Sequence, residues 1–107
     1  MRWTVETLSE IVDGEIEALP ADMRARLVRI AELIEEKGLE RVGEPHLKHV
    51  EGRLWEMRLS GRSGVARVLY VAATNRRVVL LRFFVKKTQA TPRREIDLAL
   101  VRAKAVR

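Results

Sequence analysis

The sequence predicts a single α+β domain: an N-terminal strand and helices, then a twisted antiparallel β-sheet of three to four strands, closed by a C-terminal helix. Three observations predict it. Apolar residues recur at helical spacing through 20–38, switch to β-rich runs through 54–85, and return to helical spacing after residue 91. The turns between the β-rich runs are short, which favours antiparallel neighbours because parallel strands need long crossovers. The 107 residues, 47% hydrophobic and 34% charged, suffice for one modest core and not two.

The elements follow in order. Residues 2–8 alternate loosely through Trp3, Val5 and Leu8 and read as a short first strand. Residues 11–19 form a weak acidic helix containing Gly14. Pro20 suits a first helical turn, where its missing N–H costs nothing. Met23, Leu27, Ile30, Ala31 and Ile34 then share a helical face, and Gly38 is the stop. Residues 54–59 place Trp55, Met57 and Leu59 on one strand face, with Glu56 and Arg58 on the other. Residues 61–64 turn, 65–73 form a strand interrupted by Arg67, and 75–77 turn again. Residues 78–85 are the strongest strand, with Arg82 its only charge. Thr91 is placed to cap a last helix with Pro92 in its first turn and Ile96, Ala99, Leu100 and Ala103 as its apolar stripe.

Charge is unevenly placed. Residues 1–45 carry 6 Lys/Arg and 11 Asp/Glu, net −5, whereas residues 46–107 carry 15 and 4, net +11. A basic half of this kind suits a polyanion, nucleic acid first among them. No cysteine is present, which removes disulfides and thiolate metal sites and fits a reducing, cytoplasmic setting. Apolar runs such as Val78 to Leu81 are too short to span a bilayer, so no membrane partner is expected. No phosphate loop, nucleophile elbow or zinc-protease motif occurs. His46 and His49 lack a third ligand at a convincing spacing, so neither a metal nor another cofactor is expected. They read as partly exposed loop residues that could still move protons or touch RNA.

Arg58, Arg67 and Arg82 interrupt or flank apolar strands, and Lys86 and Lys87 end the strongest one. If the arginines share a face, they make a cationic floor, because a guanidinium fork holds phosphate oxygens and lysine acts as a point charge. The alternative is that each pairs with its own carboxylate on an open sheet face. Alternation alone does not decide between them.

Leu47-Lys48 and Gly52-Arg53-Leu54-Trp55-Glu56-Met57-Arg58 resemble the first sheet motif, with its "GLWELR", of the phage-derived, HigB-like branch of the RelE superfamily. Ala66-Arg67-Val68-Leu69-Tyr70 resembles "YRVLY", and the segment from Val79 through Lys86-Lys87 to Thr91-Pro92 resembles "LLHGFVKKTQKTP". Glu95, Ile96 and Arg102 continue the pattern. The likeness covers about residues 46–103 with four motifs in order, while the first half agrees only in general character.

That resemblance implies a RelE-like fold and a metal-independent endoribonuclease toxin. Such a toxin cleaves mRNA on the ribosome and is held in check by a cognate antitoxin, in this branch commonly of helix-turn-helix type. It implies catalytic roles for Arg67, Arg58, Lys86 and Lys87, with Arg67 steadying the scissile phosphate. Arg82, Lys48, Arg93, Arg94, His46 and His49 are the expected RNA contacts. Two departures stand out. Glu56 occupies a position where some relatives carry a lysine proposed as base, and the last helix offers Arg93 and Arg94 but no tyrosine. The competing expectation is a noncatalytic RNA- or protein-binding module that uses the same basic face.

Overall fold

The computed structural model describes residues 2–42, 47–87 and 89–107, with Lys86 described by its strand position alone. His46 lies outside the described residues. The order is β1 (Thr4–Thr7), α1 (Glu10–Glu17), α2 (Ala21–Lys37), a 3-10 turn (Leu39–Arg41), β2 (Leu47–Glu51), β3 (Leu54–Gly61), β4 (Gly64–Ala73), β5 (Arg77–Lys86) and α3 (Arg93–Ala103). The strands form one sheet in the order β1-β5-β4-β3-β2. The strands β2 to β5 are the expected antiparallel meander.

Two features exceed the sequence expectation. The sheet has five strands among the described residues, because 47–51 is a strand. Of that strand only Leu47 is fully buried, so it shows no usable period. In addition, β1 pairs with β5 in parallel. Its direction is free of any hairpin constraint, because two helices separate it from the rest of the sheet.

Each sheet face buries its own cluster. Met57, Leu59, Val68, Tyr70, Leu80 and Phe83 pack under α1 and α2, against Val12, Met23, Leu27, Ile30 and Ile34. Leu54, Leu69, Val71, Val79 and Leu81 pack under α3, against Ala99 and Ala103. Burying a side chain such as Ile34 or Leu59 contributes about 1.5–3 kcal/mol. Gly38 ends α2 with φ 93°, a conformation glycine adopts without steric cost, and its N–H donates to the Ile34 carbonyl.

The β4–β5 register slips between Leu69 and Tyr70: Leu69 faces Arg82, whereas Tyr70 faces Leu80. Leu81 is the extra residue. A bulge of this kind places two successive side chains on one face, here Leu81 under α3 and Arg82 beside Leu69. Phe83 thereby returns to the α2 side.

Among the described residues, no helix is long and apolar enough to cross a membrane.

Candidate nucleic-acid interface

Cross-strand register settles which face the cations occupy. Lys48 on β2 faces Glu56 on β3, Glu56 faces Leu69 on β4, and Leu69 faces Arg82 on β5. One pleat further on, Arg58 faces Arg67, and Arg67 faces Phe84. Paired residues project to the same side. All these side chains therefore share the α3 face, beyond the part that α3 covers. Lys86 ends β5 opposite Val65.

A groove of about 210 Å3 opens there, lined by Lys48, Glu56, Arg67, Gln89 and Thr91, with His49 at its margin. Arg67 is buried on its floor, 9% exposed, and its Nε lies 3.2 Å from Glu56 Oε2. That separation suits an ion pair, but the N–H is not aimed at the oxygen. Both atoms are buried without a hydrogen-bond partner among the described residues. The other Glu56 oxygen accepts from the Thr91 hydroxyl at 3.0 Å. Thr91 thus ties the α3 approach to β3 instead of capping the helix, whose N-cap is Pro92 without a side-chain cap bond. Burial depresses the Arg67 pKa, Glu56 opposes that shift, and Arg58 adds to it. Arg58 itself is exposed and has no carboxylate partner among the described residues. Like charges placed directly across a sheet repel, and Arg58 and Arg67 are such a facing pair.

The other expected residues divide. Lys48 lines the groove, and Lys48, Lys87 and Arg94 are all exposed without ion-pair partners among the described residues. Arg82 is held by two carboxylates, with Nη1 2.9 Å from Glu15 and Nε 2.9 Å from Glu95. Those bonds, that to Glu95 first, raise its pKa. Arg93 grips Glu51 at 2.7 Å and Asp97 at 2.9 Å, joining α3 to the end of β2, and its pKa is raised chiefly by the bond to Glu51. His49 turns its ring edge-on to Trp55 at 5.2 Å, and its Nε2 lies 2.7 Å from the Gly52 carbonyl oxygen. It faces Trp55 across the strands, on the opposite side from Lys48. Tyr70 is buried on that side too, and burial pushes its phenol pKa up.

Sequence reasoning left two contributors unassigned. Glu56 stood out as one of four acids in the basic half, but its place beside Arg67 depends on register. Glu15 gave no local signal. It reaches from α1 to accept from the Phe83 N–H at 3.1 Å and to pair with Arg82 and Arg102 at 2.9 and 3.0 Å. Among the described residues, no group of three or more His, Asp and Glu side chains could hold a metal ion.

Residues 14–104 match the family described as phage derived protein Gp49-like. Among solved structures, a double arginine-to-alanine mutant of E. coli toxin RelE in the free state is similar over 95% of this chain and 98% of that one. Its identity is 16% and its TM-score 0.67. An archaeal RelE–RelB complex from Pyrococcus horikoshii OT3 is similar over 84% of this chain and 100% of that one, at 20% identity and a TM-score of 0.56. No curated protein sequence matches the chain. The two structural likenesses show a RelE-like fold.

Proposed function

The chain belongs to the phage derived Gp49-like family, and from that premise we propose that it is the toxin of a toxin–antitoxin pair, a metal-independent endoribonuclease that cleaves mRNA on the ribosome in the cytoplasm. The observation that carries this reading is the opposed pair Arg58 and Arg67 at the groove, next to the Glu56 carboxylate.

RNA can be cut there without a metal. The 2′-oxygen attacks phosphorus as its proton leaves, and the bond from phosphorus to the 5′-oxygen breaks as that oxygen gains a proton. Arg67 and Arg58 stabilise the charge that develops on the phosphoryl oxygens, commonly the largest single contribution to such catalysis. Glu56, the carboxylate lining the groove, accepts the 2′ proton. Lys86 or Lys87 supplies the proton to the departing oxygen. Lys48 and Arg94 hold flanking phosphates, while Arg82 and Arg93 set the walls through their carboxylate pairs. An antitoxin is the expected partner, supported by the archaeal relative having been solved with RelB bound, and the family resemblance extends that expectation to one of helix-turn-helix type.

Mapping mRNA ends after induction tests this. Wild type should give discrete new 5′ ends and halt growth, and Arg67→Ala should give neither while remaining folded. A noncatalytic RNA-binding module is the second reading, favoured by the His49 ring being turned away from the groove. Intact mRNA in wild-type cells would decide for it.

A further inference from the structure

A second basic cleft lies at the far end of the β3–β4 hairpin, and we infer that it binds a backbone phosphate of the same RNA that enters the groove. This inference rests on the RNA-cleaving reading above. The cleft measures about 350 Å3 and is lined by Arg26 and Arg29 of α2, by Ser60, Gly61 and Arg62 of the hairpin, and by Asp22.

The hairpin tip is fixed in place. Asp22 accepts from the Ser63 N–H at 3.1 Å and from its hydroxyl at 3.2 Å. Hydrogen bonds from the hairpin, the Ser63 N–H first, hold the Asp22 pKa below its usual range. The carboxylate sits so close to Gly61 that any Cβ there would collide with Asp22 Oδ2. Asp22 is therefore engaged with the hairpin, and its charge stays anchored to backbone and hydroxyl donors. The arginines are not so engaged. Arg26 and Arg62 have no ion-pair partner among the described residues, and Arg29 has only Glu32 at 3.9 Å, with both side chains more than half exposed. An exposed contact of that kind contributes little. Three guanidinium groups on a braced scaffold match phosphate oxygens, which guanidinium forks bind bidentately.

The placement relative to the groove matters as much. Arg58 and Arg62 are on the same hairpin, four residues apart, about 13 Å at strand rise. Arg58 stands on the α3 side and Arg26 and Arg29 on the α2 side, so an RNA strand leaving the groove past Arg58 would pass round the hairpin tip at Arg62 to reach the cleft. The acidic first half thus contributes two arginines to a surface that belongs functionally to the basic second half.

Equilibrium binding of a single-stranded RNA to the full chain, made uncleavable by 2′-O-methylation and titrated across salt concentrations, tests the inference. Three proteins are compared: wild type, the triple variant Arg26→Gln/Arg29→Gln/Arg62→Gln, and a control that loses the same charge elsewhere, Lys37→Gln/Arg41→Gln/Lys104→Gln. A thermal melt of each confirms folding, and Asp22 keeps the hairpin lock in all three. The cleft variant should flatten the log–log salt slope by about 2 if all three contacts are lost, and the control should stay close to wild type. Equal slopes for the cleft variant and the control would overturn the cleft while leaving the groove intact. Absence of RNA binding by wild type would overturn the functional reading itself.

Discussion

At the scale of the residue, Glu56 has two duties that one substitution can separate. It is the counter-charge nearest Arg67 and the proton acceptor assigned to the 2′-hydroxyl. Glu56→Gln keeps the shape and can keep the Thr91 bond, but removes the base. Cleavage should fall by about 10²–10⁴-fold, read as initial rate on a model mRNA, while RNA affinity is held or improved as a negative charge leaves the groove. Loss of affinity in step with rate would instead mark Glu56 as a support for the RNA-binding surface. The arginines were legible in the sequence because charges inside apolar strands are conspicuous. Which of them are available to an anion was not. Arg58 and Arg82 look alike in the chain, yet one is exposed without a carboxylate among the described residues and the other lies between Glu15 and Glu95. The difference comes from residues distant in sequence, and no local pattern reports it.

At the scale of the element, Glu15 is where α1, β5 and α3 meet. Its carboxylate takes the Phe83 N–H and two arginines, one of which, Arg102, also donates to the Leu81 carbonyl at 2.6 Å. These side chains satisfy β5 backbone groups beyond the stretch paired with β1, where edge groups would otherwise be left open. Glu15→Gln should cost on the order of 2 kcal/mol and lower the Tm by about 10 °C, measured by thermal melt. An unchanged Tm would show that the network is replaceable by water. The helices were legible because their apolar spacing is regular and Gly38 stops α2. Strand β2 was not, since one buried residue in five carries no period. The parallel β1–β5 pairing was equally silent, because alternation reports faces and says nothing about direction.

At the scale of the whole molecule, acid stability follows from the carboxylates the fold engages. Burial pushes the Glu15 pKa up, but bonds from Arg102, the Phe83 N–H and Arg82 outweigh it and hold the value below the ordinary 4.5. Asp22 and Glu51 are also held low, by Ser63 and Arg93 first. A group whose folded pKa is depressed stabilises fully above its unfolded value and loses that contribution as pH falls through the folded one. The chain should therefore keep its stability down to about pH 4.5 and lose it progressively below, as followed by urea midpoints. In Glu15→Gln that acid limb should be shallower. A limb as steep as that of wild type would place the linkage elsewhere.

The doubled step at Leu81 and Arg82 also governs which chain lengths this architecture accepts. At the present length, pairing β5 with β4 without the extra residue would turn every later side chain to the other side. Phe83 would leave the helical core for the groove side, and Phe84 would take its place inward. Loss of either Leu81 or Arg82 would instead give strict alternation with the later residues on their present sides. Homologues one residue shorter at this position should therefore show a regular β4–β5 ladder with the counterpart of Phe83 still inward, and other length polymorphism should gather in the hairpin tips and the segment before β2.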